Sequence, residues 1–167
     1  MTDVNLPVGE IISRGVNIRE IDVKKLIEGF YEKEFSGYLI TALEGFDGLE
    51  EGVLLFKAGS LNAAFYEYDL HGVTVFGDIA ISHIFNSLAA PYIVADIVSL
   101  SDQQVDLITA FNEKSRLARK VAKNDIPRLM PKAYSADLAK SVLSQYVKKE
   151  ESKKDIFKKF GLTSLGE

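Results

Sequence analysis

After Asp22, the apolar residues Val23, Leu26, Ile27, Phe30 and Tyr31 recur three and four positions apart, with Lys24, Lys25, Glu28 and Glu32 between them. This spacing predicts an amphipathic helix capped by Asp22 and ended before Gly37. Upstream, residues 6–16 (LPVGEIISRGV) read as extended chain punctuated by Gly9 and Gly15. Downstream the apolar runs shorten, and three strands are predicted at Gly37–Glu44, Gly52–Lys57 and Leu61–Asp69. Between the first two, Glu44, Asp47, Glu50 and Glu51 lie among three glycines, a pattern expected of a solvated acidic connection. Between the second and third, Lys57-Ala58-Gly59-Ser60 reads as a tight hairpin turn, with Gly59 at the position that needs positive φ.

From Val73 to Ala89 the apolar residues Val75, Phe76, Ile79, Ala80, Ile84, Phe85 and Leu88 cover more than one helical face. Such a helix is expected to be buried on most sides, and Pro91 stops it. A fourth strand follows at Tyr92–Leu100, and then Ser101 and Gln104 form a capping-box pattern. The helix behind that box is expected to reach about Lys123, with Val105, Ile108, Phe111, Ala118 and Val121 inward. Asn124–Lys132, with Pro127 and Pro131, reads as an elbow. Ser135 then caps a helix whose stripe is Leu138, Val142, Leu143 and Tyr146. A charge run at Lys148–Lys154 and a last helical turn or two at Asp155–Phe160, ended by Gly161, complete the chain.

The element order α-β-β-β-α-β-α predicts an α+β fold: a mainly antiparallel sheet of four to five strands with packed helices, plus a C-terminal helical tail. In the third strand Leu61, Ala63 and Phe65 share one face and Asn62, Ala64, Tyr66 and Tyr68 the other. In the fourth, Ile93, Ala95 and Ile97 oppose Tyr92, Val94, Asp96 and Val98. Neither face is polar, so the second one is expected to be covered by another helix or by a second subunit, and a homodimer follows as an expectation.

Composition sharpens this picture in two places. The 167 residues include no cysteine, which excludes disulfides, thiolate metal sites and thiol catalysis. Charge is uneven: residues 1–113 hold 6 Lys+Arg against 18 Asp+Glu, a net of −12, while residues 114–167 hold 14 against 6, a net of +8. The chain therefore divides into an acidic α+β domain, residues 1–123, and a basic helical tail, residues 124–167. Met1–Pro7 has neither a basic nor an apolar signal region, and the uncharged run Ile79–Ala95 carries Ser82, His83, Asn86, Ser87 and Pro91. A cytoplasmic protein without membrane spans is expected.

Candidate chemistry is sparse. Asp69, His71, Asp78 and His83 are near one another in sequence, but a metal needs three or four convergent ligands and this spacing does not deliver them. His71 reads as a surface-turn residue and His83 as a hydrogen-bonded residue on an apolar helix. The acidic connection lacks the alternating carboxylates of a calcium loop. Phosphate-binding glycine patterns are absent, and Ser13, Ser36, Ser60 and Ser82 lack a hydrolase elbow. Phe46, Phe56, Tyr66 and Tyr68 read first as strand packing.

Ser36-Gly37-Tyr38-Leu39, then Gly52–Ala64 with Phe56-Lys57-Ala58-Gly59, then Gly77-Asp78-Ile79-Ala80 resemble the PATAN-type domain of prokaryotic signalling proteins. Through Asp96–Ser101 and Phe111-Asn112 the chain is similar to an uncharacterised archaeal family related to it. The resemblance implies an interaction module that works beside regulators, with no catalytic residues to carry over. The expected function is thus a non-catalytic protein-interaction or regulatory adaptor module in an archaeal-like signalling context, with no cofactor. Leu138, Val142, Leu143, Tyr146, Ile156, Phe157 and Phe160 are its candidate partner-binding residues. One alternative is a small-ligand sensor, with a pocket at Tyr66, Tyr68, Asp69, His71 and Asp78 between the Val73–Ala89 helix and the sheet. Another is nucleic-acid binding through the basic tail; the lysines are not interleaved with stacking residues, so a protein partner is favoured.

Overall fold

The structure, a computed structural model, describes residues 4–161. Its strands are β1 (Glu10–Asn17), β2 (Gly37–Gly45), β3 (Gly48–Lys57), β4 (Ser60–Tyr68), β5 (Val73–Phe76) and β6 (Val94–Ser99). Its α-helices are α1 (Val23–Glu32), α2 (Asp78–Ser87), α3 (Asp102–Phe111), α4 (Ile126–Leu129) and α5 (Asp137–Lys159). The six strands form one sheet in the order β1-β6-β2-β3-β4-β5, and every neighbouring pair is antiparallel. The fold is α+β, with six strands where four to five are predicted. Both additions have local causes. The extended segment before α1 pairs as an edge strand with β6. Val73-Thr74-Val75-Phe76 pairs with β4 instead of starting a helix, and Gly77 at φ +63° turns the chain into α2.

Several predicted signals are realised. Asp22 caps α1 by accepting from the Lys25 amide at 3.1 Å. The Ser101 hydroxyl accepts from the Gln104 amide at 3.2 Å while the Gln104 side chain accepts from the Ser101 amide at 2.9 Å. In the β3–β4 turn Ala58 and Gly59 have φ +46° and +77°, the paired positive values that match hairpin twist.

Both faces of the sheet are covered. On one, Leu39, Leu54, Phe56, Ala64, Tyr66 and Ile97 meet α1, α2, α4 and α5. On the other, Tyr38, Val53, Leu55, Ala63, Phe65 and Val98 meet α3 through Val105 and Ile108, together with Val4. Leu61 departs from its predicted face. The pairings Leu55↔Ala63 and Phe56↔Leu61 leave Asn62 as an extra residue, and this bulge moves Leu61 to the side of Phe56.

Helix α3 ends at Phe111, well short of Lys123. The Asn112 side chain donates to the Ile108 carbonyl at 2.9 Å. The chain then runs back along β4, where the Leu117 amide donates to the Asn62 carbonyl at 3.2 Å and Arg116 bridges Ala63. In consequence Phe111 and Ala118, predicted inward, are exposed; Val121 is half-buried against the main core. Ile79 is likewise exposed on α2. Farther on, Tyr31 donates to the Val121 carbonyl at 2.8 Å and Lys123 pairs with Glu32. Within the basic tail Ile126, Ala139 and Leu143 join the same core cluster as Ile27 and Phe56. The predicted charge run and last turns are one continuous helix, α5, of 23 residues, followed by Gly161 at φ +70°.

Candidate functional site

The acidic connection predicted at Gly45–Glu51 is a two-residue turn, Phe46-Asp47, between paired Gly45 and Gly48. Strand β3 therefore starts early and carries Glu50 inside, 2% exposed. A buried carboxylate needs donors, and three reach it. The Tyr66 hydroxyl donates to Oε2, the Phe46 amide donates to Oε1 at 3.0 Å, and the Tyr134 hydroxyl lies 3.4 Å from Oε1. Beside them Tyr68 Oη and His83 Nδ1 share a hydrogen bond of 2.6 Å, and the Tyr66 and Tyr68 rings pack edge to face at 5.3 Å.

Electrostatics follow from burial. Loss of solvent, then the neighbouring Glu50 carboxylate, raises the Tyr66, Tyr68 and Tyr134 hydroxyls above the ordinary phenol range, so all three keep their protons. Burial lowers His83 to about 4, so its ring is neutral at physiological pH. Among the described residues no buried side-chain nitrogen or oxygen lacks a partner. The network thus holds β3, β4, α2 and the segment before α5 together by satisfied hydrogen bonds.

Of the predicted pocket residues, only Tyr66 and Tyr68 come together, and they are core. Asp69 and His71 sit in a turn at one end of the β4–β5 hairpin, where His71 Nε2 pairs with Asp47 Oδ2 at 2.8 Å. Asp78 lies at the other end and accepts from the Ala118 amide at 3.1 Å, fixing the returning chain. Among the described residues no three His, Asp or Glu side chains come together to hold a metal ion. From the sequence Glu50 reads only as part of a solvated acidic connection, and Tyr134 carries no signal. They are 84 residues apart, and their contact has no local signature.

The predicted partner-binding residues divide. Leu143 is buried in the core, and Val142 packs against it; Leu138 is half-buried. Tyr146, Ile156, Phe157 and Phe160 are exposed. Asn86 of α2 pins the chain before α5, donating to the Ser135 carbonyl at 2.8 Å and accepting from the Ser135 amide at 2.9 Å. Beyond Leu143 every described residue except Glu150 is exposed, and the run from Lys148 to Phe160 carries six lysines against three acids. No helix among the described residues is long and apolar enough to cross a membrane.

No curated protein and no solved structure gives a significant match to this chain. A family model does match, over residues 4–112, from just ahead of β1 to the residue just after α3. The match spans the whole sheet with α1, α2 and α3, and leaves Tyr134 and α5 beyond it. By that match the chain belongs to the family described as uncharacterized protein conserved in archaea, DUF2226.

Proposed function

We propose that the protein is a non-catalytic interaction module whose body holds a basic helical arm out toward a protein partner. One observation carries this reading. Helix α5 is fastened at one end by Ala139 and Leu143, while its other end presents Ile156, Phe157 and Phe160 to solvent among Lys148, Lys149, Lys153, Lys154, Lys158 and Lys159. Residues at i, i+1 and i+4 share one side of a helix, so the three apolar side chains make a single anchor patch. Exposed aromatic clusters of this kind mark contact surfaces, and lysines steer them to an acidic counterpart. The likeness of the Phe56–Gly59 and Gly77–Ala80 segments to PATAN-type domains supports a regulatory, signalling setting in the cytoplasm.

The test compares the wild type with the variant Ile156→Gln, Phe157→Gln, Phe160→Gln as baits in extract of the native cell. The reading predicts a protein retained by the wild type and lost by the variant, with direct binding reproduced from purified components. Equal retention by both baits, or recovery of nucleic acid in place of protein, would overturn it. The three side chains are exposed, so the variant should melt within a few degrees of the wild type.

A further inference from the structure

Helix α3 is apolar on two sides. Val105 and Ile108 face the sheet, but Leu107 (54% exposed), Ala110 and Phe111 (81% exposed) face solvent at i, i+3 and i+4. Alongside them the Leu6-Pro7 segment and α3 border an open groove of about 530 Å³, which Asn5 and Asn112 also line. Helix α3 carries Asp102 and Asp106 and no Lys or Arg, and Glu113 follows it; Asp106 is paired with Lys57 at 2.6 Å, and Lys114 comes next in the chain. A groove lined by Leu107, Ile108 and Phe111, with carboxylates along its helix, suits an apolar helix edge flanked by lysines.

The same chain carries such an edge. We infer that the Ile156–Phe160 end of α5 docks into the α3 groove of a second copy of this protein, an assignment that rests on the interaction reading above. Charge complementarity argues for it, since the arm draws on the +8 segment and the groove on the −12 segment. Topology argues that the contact is between copies. Helix α5 joins the core on one face of the sheet and α3 on the other, and within one copy both surfaces are exposed. Arm and groove are different surfaces, so two copies that exchange arms close into a twofold pair, whereas head-to-tail docking extends into a ring or a chain. This inference also gives α3 a reason for its second apolar side, which the body's own packing leaves uncovered.

Sedimentation velocity on the full chain tests the inference with two variants, Phe157→Gln/Phe160→Gln in the arm and Leu107→Gln/Phe111→Gln in the groove. The wild type should self-associate, and each variant alone should weaken association at least tenfold. An equimolar mixture of the two variants should recover a one-to-one complex, because one supplies an intact groove and the other an intact arm. Raising salt from about 0.1 to about 0.5 M should weaken the wild-type contact. A wild type that stays monomeric at about 0.5 mM overturns the inference, while the arm's loss of a different protein in the extract experiment would still stand. Self-association that survives the groove variant, or a mixture that fails to associate, also overturns it, since the arm would then meet another surface. Far-ultraviolet circular dichroism and melting temperature confirm that each variant is folded.

Discussion

The two halves of α5 are built from similar residues and end in opposite environments. Ala139, Val142 and Leu143 in the first half close the core that α1, α2 and the sheet begin. Ile156 and Phe157 in the second half, with Phe160 at its end, meet solvent. Helical spacing of apolar residues is the same signal in both. What separates them is whether the body offers surface within reach. The first half is tied down by Asn86 and Ser135, and Tyr134 just before it bonds into the Glu50 network. Among the described residues no hydrogen bond ties the second half to the body. An apolar stripe therefore reports a need for burial and does not say which molecule meets it.

The largest expected effect comes from truncating one apolar side chain in each half. Leu143→Ala should lose about 2–4 kcal/mol in urea unfolding, whereas Phe157→Ala should change stability by less than about 0.5 kcal/mol. Comparable losses at both sites would erase the distinction. Next, Tyr66→Phe removes a donor from the buried Glu50 carboxylate and should cost about 1–3 kcal/mol, measured the same way. A neutral result would mean that the carboxylate does not depend on this donor for the anchoring it gives the first half.

Asn86→Ala cuts both hydrogen bonds to Ser135 and should cost about 1–2 kcal/mol. Hydrogen exchange should show faster opening in residues 137–143 and no change in residues 148–159. The smallest effect is acid sensitivity through His83. Its folded pKa of about 4 lies below the ordinary 6.5, so between those values the unfolded chain binds more protons and stability falls as pH falls. The contribution is complete above about pH 6.5, and about 1 kcal/mol should be lost by about pH 5.7. The groups packed around the ring are the Tyr68 hydroxyl and the Tyr66 ring, both neutral over that window. His83→Gln should flatten this part of the pH profile.

Local chemistry made much of the fold readable. The Asp22 cap, the Ser101–Gln104 box and the Ala58-Gly59 turn each depend on residues within four positions of one another, and each forms as predicted. The misread places depend on distant partners. Val73–Phe76 continues into an apolar helix without a polar break, so only Gly77 and the vacant edge of β4 reveal a strand there. Helix α3 stops at Phe111, where Asn112 bonds back to the Ile108 carbonyl, and the returning chain bonds through Leu117 to the distant Asn62 carbonyl. Glu50 reads as a surface acid until Tyr66 and Tyr134, 16 and 84 residues away, supply its hydrogen bonds. Of the candidate site, the tail's exposed aromatics were legible from spacing and lysine content. The α3 groove was not, because Phe111 carries the periodicity of a core residue.

Ile126 sits fully buried beneath α1, fourteen residues past the end of the family match. The basic segment is therefore a keystone as well as an arm. A shortened protein meant to isolate the body must keep everything through Leu143; trimming at 112 or at 123 would strip a wall from the interior and yield a sticky, poorly folded product. The stretch beyond that point can be lengthened, shortened or replaced without disturbing the scaffold that carries it.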